Sequence, residues 1–416
     1  MTDGSVWLDL SRMISRVGRA APTGIDRVEL AWAHHLLHGP SPAFALCRTT
    51  RGFLLLDRTG MERLLALAKG DVPLGGADAL SRLIGRGGDP RHRVEGMLRP
   101  LAVDRCLPGR LAAMVGRWRP EVYFNVGHSN LTQPSLRALR SMGAAVVVLL
   151  HDAIPVTHPH LVPAAQPNRF KAKLAAVAGS ASLVVTVSDA AKRDLQSILP
   201  SSGPPVTVAP LGVALPDDRR LGEAARSGFV AVGTLEPRKN HALLLSAWEG
   251  LEARLGAPDL PQLKIIGQPG FQGAAIKRQI EDHRLYGRSI FLETGAGDAA
   301  VAEALTQADA LLYPTFAEGF GLPPWEALVR GALPICSDLP VLRDALGPHA
   351  IYLDPNDSLA WTETIIQRLS GNLPAKPAKS IAWPRWAEHF ENVNAAVATL
   401  RNGGRDGLGT GRKGRE

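Results

Sequence analysis

Glu318 and Glu326 stand eight positions apart in the stretch Phe316-Ala-Glu-Gly-Phe-Gly-Leu-Pro-Pro-Trp-Glu-Ala-Leu-Val-Arg-Gly331. The stretch follows an apolar run, Ala308-Asp-Ala-Leu-Leu-Tyr-Pro314, that reads as a buried strand. A glycine-rich turn comes next, and Pro323 and Pro324 then open a helix, where a missing N–H is tolerated. The free amides of such a turn and of a helix N-terminus suit an anion. Glu318 lies on the loop side of that site, and Glu326 is expected in the first helical turn, where the dipole favours a carboxylate. One local geometry thus offers amides for a phosphate and two carboxylates for hydroxyl groups, such as those of a sugar and a ribose.

Other residues fit the same chemistry. Arg238 and Lys239 follow the strand-like run Phe229-Val-Ala-Val-Gly233 and are suited to phosphate oxygens, the first as a fork and the second as a compact charge. His151 ends the run Ala144–Leu150, and the C-terminal ends of parallel strands are where α/β ligand sites occur. Asp152 beside it either orients the imidazole or turns the chain. Gly24, between the first strand and a helix, lets backbone approach a ligand closely, although an ordinary turn glycine reads the same way.

The spacing of the two glutamates, with its flanks, resembles the E-x7-E motif of the retaining glycosyltransferases of family 4. Gly233-Thr-Leu-Glu-Pro-Arg-Lys-Asn-His241, Leu263-Lys-Ile-Ile-Gly267, Leu339-Pro-Val-Leu-Arg-Asp344 and Tyr352-Leu-Asp-Pro-Asn-Asp357 occur in that family's order. Earlier in the chain the resemblance is patchier: Pro22-Thr-Gly-Ile-Asp-Arg-Val28, His151-Asp-Ala-Ile-Pro155 and Val187-Ser-Asp-Ala-Ala-Lys-Arg-Asp-Leu195. The resemblance implies that Glu318 contacts the hydroxyls of a donor sugar and Glu326 the ribose. Phe320, Gly321 and Leu322 would present backbone amides to sugar and phosphate. His151 would point into the cleft near the donor sugar, and the Gly24 loop would lie over the diphosphate. The family places one cation directly after the strand, where this chain has Thr234, so which of Arg238 and Lys239 meets which phosphate is open.

Those residues need elements to hold them. The first half alternates strand-like runs (Val6–Leu10, Val122–Val126, Ala144–Leu150, Ser182–Val187, Val206–Ala209) with helical patterns such as Asp26–Leu37 and Arg169–Val177. A second alternation runs from Phe229 through Leu263–Ile266, Ile290–Leu292, Ala310–Tyr313, Leu333–Cys336 and Ala350–Leu353. The fold class is therefore α/β, and with the resemblance GT-B: two Rossmann-like doubly wound domains facing across a cleft. The expected division is an acceptor-side domain 1–211, a linker 212–227, a nucleotide-sugar domain 228–382, a helix at 383–400 crossing back to the first domain, and a disordered basic tail 401–416.

Bulk properties narrow the class. A chain of 416 residues is too long for one ordinary core. No run is long and apolar enough for a membrane span, the N-terminus has no signal-like core, and Cys47, Cys106 and Cys336 match no metal spacing, so a cytoplasmic protein is expected. The net charge of +8 is concentrated in residues 82–119, at +6, and in 401–416, at +3. No aromatic–basic interleaving or motif accompanies it, so nucleic acid is set aside. The 82–119 segment, with Leu83, Ile84, Met97, Leu98, Leu101 and Trp118, reads either as a solvated basic face or as a contact for an anionic membrane surface, which would place the protein peripherally on the inner face. His34, His35 and His38 read as a helix face rather than a metal site, and no D-x-D metal motif occurs, so metal-independent transfer is expected.

The function so implied is retaining transfer of a hexose, with mannose from GDP-mannose the leading donor, to a hydroxyl of a glycan or lipid-linked acceptor in cell-surface polysaccharide synthesis. No cofactor is expected beyond the nucleotide sugar, which is substrate. The alternatives are a UDP- or dTDP-sugar donor, a nucleotide-sugar epimerase, and a non-catalytic sugar-nucleotide-binding subunit.

Overall fold

The computed structural model describes residues 4–18, 23–76, 78, 89–213, 226–373 and 382–406, with side chains to 401. The expected linker and basic tail fall largely outside these residues. Two sheets form. The first contains β1 (Val6–Asp9), β2 (Ala43–Thr49), β3 (Gly52–Leu56), β4 (Ala102–Cys106), β5 (Val122–Asn125), β6 (Ala145–Leu149), β7 (Leu183–Thr186) and β8 (Val206–Val208), in the order β4-β3-β2-β1-β5-β6-β7-β8. The second contains β9 (Phe229–Val232), β10 (Leu263–Ile266), β11 (Ile290–Glu293), β12 (Ala310–Tyr313), β13 (Leu333–Ser337) and β14 (Ile351–Leu353), all parallel, in the order β11-β10-β9-β12-β13-β14.

The parallel strands are apolar on both faces because helices cover both. In β6, Val146 and Val148 enter one core and Val147 and Leu149 the other. In β12, Leu311 and Tyr313 face one core while Ala310 and Leu312 face another. The chain is thus α/β with two doubly wound sheets, the GT-B architecture.

Three strands depart from the expected alternation. β2 and β3 form an antiparallel hairpin, and β4 pairs antiparallel to β3. The hairpin turn requires Gly52, whose φ is +144° and whose added Cβ would lie 1.9 Å from the Cys106 carbonyl oxygen. No helix separates β2 from β3, so a pattern sought as strand then helix passes over them. β4 lies inside the arginine-rich segment, where charge hides a five-residue strand.

That segment is also less free than its charge suggests. Among its described residues, Arg91 pairs with Glu95, Arg99 with Asp78 and Glu95, and Arg117 with Asp104, while Arg93 donates to the carbonyls of Leu74 and Gly75. Leu98 is fully buried, and Trp118 packs edge-on against Phe44 with its indole N–H on Asp104. Arg105, Leu107 and Arg110 are exposed there. Leu83 and Ile84 lie outside the described residues.

The last helix, Trp386–Asp406, packs on the first domain. Trp32 Nε1 donates to His389 Nε2 at 3.1 Å, and the other ring nitrogen of His389 donates to the Ala209 carbonyl at 3.0 Å. His35 of the helix Gly24–His38 stacks on Phe390 with ring centroids 3.7 Å apart, while His34 and His38 pair with each other. The Val213 amide donates to the Pro384 carbonyl at 3.0 Å, and Gly212 leaves room for Trp386 that any Cβ would fill. Among the described residues no helix is long and apolar enough to cross a membrane.

Candidate functional site

The order of the second sheet places its switch point between β9 and β12: connections from these adjacent strands leave in opposite directions and open a crevice at their C-terminal ends. The segment after β9 carries Arg238 and Lys239, and the segment after β12 carries Glu318. The crevice brings them together. Gly233 and Gly267 let the two turns touch, since a Cβ on Gly267 would lie 1.8 Å from the Gly233 carbonyl oxygen.

Glu318 Oε1 is the hub. It accepts from Arg238 Nη1 at 2.6 Å, from Tyr313 OH at 2.7 Å and from Lys239 Nζ. Lys239 Nζ also donates to Tyr313 OH at 2.7 Å. Arg238 is held on its other side by Glu236 Oε1 at 2.7 Å and on its near side by the Ala317 carbonyl at 2.7 Å. Oε2 of Glu318 meets no donor among the described residues. Burial works against the Glu318 charge, but Arg238 and Lys239 outweigh it and hold the carboxyl down to about 2. Burial, and then the neighbouring guanidinium, bring Lys239 down to about 8. Arg238 stays charged: burial opposes its charge, and Glu318 and Glu236 more than offset that.

The turn after Glu318 leads into a helix N-terminus. Gly321 adopts φ +84° and caps the helix Leu322–Arg330, with proline at its start. The amides of Phe320, Gly321 and Leu322 meet no acceptor among the described residues. Glu326 is the fifth residue of this helix and so lies past its first turn, contrary to the sequence expectation; the helix begins at Leu322, ahead of both prolines. Its carboxylate therefore owes little to the helix dipole. It is instead paired across the cleft with Arg27 Nη1 at 2.6 Å, and Arg27 also reaches Asp298 at 2.6 Å.

Arg27 was not singled out from the sequence, although it lies within the quoted Thr23-Gly-Ile-Asp-Arg-Val run. That run builds a capping box: the Thr23 amide and hydroxyl donate to Asp26 Oδ2 at 2.7 and 2.8 Å. Asp26 is further fixed by Arg12 and Arg16, each at 3.0 Å. The helix is thereby oriented with Gly24 toward Leu322 of the second domain, where an added Cβ would meet the leucine at only 3.9 Å. Ordinary contact there means the glycine is not demanded by packing within the chain.

The first domain contributes the opposite wall. His151 follows β6 and is 7% exposed. Its Nε2 donates to the Val126 carbonyl at 2.9 Å, and its ring lies 4.9 Å from that of His128. Burial brings its pKa down to about 4, so it is a neutral hydrogen-bonding group near neutral pH. Asp152 turns the chain by accepting from the Ile154 amide at 3.0 Å, and burial raises its pKa against the pull of Arg238. The two walls touch: Ser188 Oγ donates to the Gly319 carbonyl at 2.8 Å, and a Cβ on Gly319 would lie 2.4 Å from the His151 carbonyl oxygen. Glu318 and His151 are thus brought to one place. Among the described residues no group of His, Cys, Asp and Glu could hold a metal ion.

Known proteins resemble this chain in sequence and in fold. Residues 223–382 match the glycosyl transferases group 1 family. The serotype-specific mannosyltransferase WbdA of Escherichia coli is 25% identical over 277 residues, which is 61% of this chain and 34% of that protein. The O-antigen chain mannosyltransferase B of Escherichia coli is 27% identical over 236 residues, 54% of this chain and 61% of that one. The chain therefore spans about a third of the length of WbdA. Among solved structures, the sucrose-phosphate synthase of Thermosynechococcus elongatus superimposes with a TM-score of 0.59 at 16% identity, covering 97% of this chain and 98% of that one. The α,α-trehalose 6-phosphate synthase of Burkholderia multivorans gives a TM-score of 0.59 at 14% identity, with both chains covered in full.

Proposed function

We propose that this chain, whose second domain belongs to glycosyl transferases group 1, is a retaining hexosyltransferase. It would move a hexose from a nucleotide sugar to a hydroxyl of a glycan or lipid-linked acceptor in cell-surface polysaccharide synthesis. The observation that carries this reading is the convergence of Arg238, Lys239 and Glu318 at the switch point of the second sheet, with His151 on the facing wall. The cations stabilise the diphosphate as the bond to the sugar breaks. The neutral imidazole of His151 and the free oxygen of Glu318 hold sugar hydroxyls. The acceptor oxygen attacks from the face the phosphate leaves, and its proton passes to the departing phosphate oxygen. Catalysis is then mainly positioning and charge stabilisation, with no enzymic nucleophile and no metal.

GDP-mannose is the proposed donor, supported by the mannosyltransferase names of both relatives. A UDP- or dTDP-hexose is the rival donor. Glu326 would take the ribose once Arg27 yields it. Membrane contact, if the acceptor is lipid-linked, would run through exposed residues of the 82–119 segment such as Arg105, Leu107 and Arg110.

The test is a panel of nucleotide sugars offered to purified protein, with and without a chelator. Donor consumption by one sugar, undiminished by chelator and giving a product of the donor's anomeric configuration, is expected. Binding without any turnover or donor hydrolysis would leave a non-catalytic sugar-nucleotide binder instead.

A further inference from the structure

The first sheet has a switch point of its own. β1 sits between β2 and β5, so the connection after β1 runs one way and the connection after β5 the other. A cavity of about 510 Å³ opens at these C-terminal ends. Its walls come from the turn after β1 (Ser11, Ser15), the end of β2 (Arg48, Thr50), Arg91, the loop His128–Thr132 after β5, and Lys173 of the helix Gln166–Ser180. Its volume lies in the range of small-molecule sites, roughly 300–1,000 Å³.

The charge lining the cavity is one-sided. Arg48, Arg91 and Lys173 line it, and no lining residue is acidic. Arg91 is matched by Glu95 behind it. Arg48 and Lys173 have no carboxylate partner among the described residues. Lys173 Nζ is anchored instead by the His128 carbonyl at 2.8 Å, which holds its ammonium at the wall without neutralising it. Ser11, Ser129 and Thr132 add hydroxyls to the lining, while Thr50 is bonded to Glu95 and the Asn130 amide to Asp9 and Ser135. The loop after β5 holds two non-glycine residues at positive φ, His128 at +58° and Asn130 at +56°, a cost that a functional loop more often retains than a structural one. His128 also stands between this cavity and the donor wall, its ring 4.9 Å from that of His151.

We propose that this cavity is a second anion subsite, which takes a phosphate or diphosphate group of the acceptor between Arg48 and Lys173. The hydroxyls of Ser11, Ser129 and Thr132 suit the sugar next to that phosphate. The assignment of the anion to an acceptor rests on the transferase reading above; the binding of an anion there does not. A phosphate accepts from several donors at once, and the two cations come from different elements, Arg48 from the β2 strand and Lys173 from the helix Gln166–Ser180.

Inorganic pyrophosphate titrated calorimetrically into the whole chain, with and without saturating GDP, tests this. GDP fills the donor crevice, so pyrophosphate bound in its presence reports the cavity. Wild type should still bind pyrophosphate with GDP present, and Arg48→Gln/Lys173→Gln should bind it roughly a hundredfold more weakly, about tenfold for each charge-assisted contact. GDP affinity should be the same in both proteins. Arg48→Lys/Lys173→Arg should restore pyrophosphate binding to within a few-fold, which a folding defect at these sites would not predict. Equal pyrophosphate binding by wild type and the Gln variant, or none by wild type once GDP is bound, would overturn the subsite. If GDP binds to neither protein, the donor reading fails, and the same comparison without GDP still decides this one. Co-sedimentation with phosphatidylcholine vesicles containing a polyprenyl phosphate separates the sources: recruitment that depends on Arg48 and Lys173 assigns the phosphate to a lipid-linked acceptor, and pyrophosphate binding without recruitment assigns it to a soluble phosphorylated glycan.

Discussion

The two walls of the cleft handle buried ionisable groups in opposite ways. On the second domain, charge is kept by pairing: Glu318, Arg238 and Lys239 share one carboxylate oxygen and its surroundings. Around His151 and His128 on the first domain, charge is suppressed. His151 and His128 are held neutral by burial, and Glu29, with both oxygens buried and unmatched by hydrogen bonds, has its pKa raised well above the usual range by burial. The contrast follows from what each wall would meet. A crevice built for a leaving diphosphate needs cations in place beforehand, and a buried cation is tolerated only with a partner. A wall that meets sugar hydroxyls needs donors and acceptors without net charge.

The contrast is broken most directly at its hub. Glu318→Ala should leave Arg238 and Lys239 buried with Glu236 as the remaining carboxylate, costing about 3–5 kcal/mol of stability and abolishing turnover. Denaturant unfolding reads the first and a donor-consumption assay the second. A variant as stable as wild type would show that the cations do not need this partner.

Acid should then separate the buried imidazoles from Glu318. His151 and His241 are both brought by burial to about 4, below the ordinary 6.5. The unfolded chain takes up those protons first, so stability is lost as pH falls from 6.5 to 4, by at most about 3 kcal/mol per imidazole. Glu318, at about 2 against an ordinary 4.5, keeps its contribution above pH 4.5 and loses it from there down to 2. Stability followed against pH should show the histidine slope first. Replacing His151 and His241 with Gln should lessen the slope between 6.5 and 4 and leave the part below 4.5 that Glu318 sets, while His128 and His389 keep some slope in the upper range.

A smaller effect tests the two glutamates against each other. Glu326→Ala should weaken nucleoside diphosphate binding about tenfold, the worth of a hydrogen bond to a charged group, and leave the turnover of bound donor nearly unchanged. Loss of turnover without loss of nucleotide affinity would reverse the assigned roles of Glu318 and Glu326.

The smallest expected effect concerns Lys239. With a pKa near 8, its ammonium is lost as pH rises past that point, and nucleotide affinity should fall a few-fold between pH 7.5 and 9. Lys239→Arg keeps its charge and should remove the decline. A decline that persists in the Arg variant would place the titrating group elsewhere.

The second wall was the easier one to read from sequence, and the reason is local. Its strands are short, parallel and separated by helices, and Arg238, Lys239 and Glu318 each follow a strand within a few residues. The first wall depends on contacts between distant segments. Arg27 meets a partner 299 positions away, which no spacing reveals. Tyr313 was legible only as the end of a buried strand, and its hydroxyl becomes part of the hub only when β9 and β12 lie side by side. The first turn expected for Glu326 failed by the placement of the helix start at Leu322. The hairpin of β2 and β3 was missed although its residues are apolar, because its two strands run together without the helix that alternation leads one to expect. That hairpin carries Arg48 and so one side of the cation-lined cavity.

The hydrogen bond between Val213 and Pro384, with Trp386 against Gly212, has a mechanical consequence. The chain leaves the first domain at Val213 and rejoins it at Pro384, a single spot, so the second domain is entered and left from neighbouring points. A pull that parted the domains would load that one spot, and it would have to break the Arg27–Glu326 and Ser188–Gly319 contacts across the cleft.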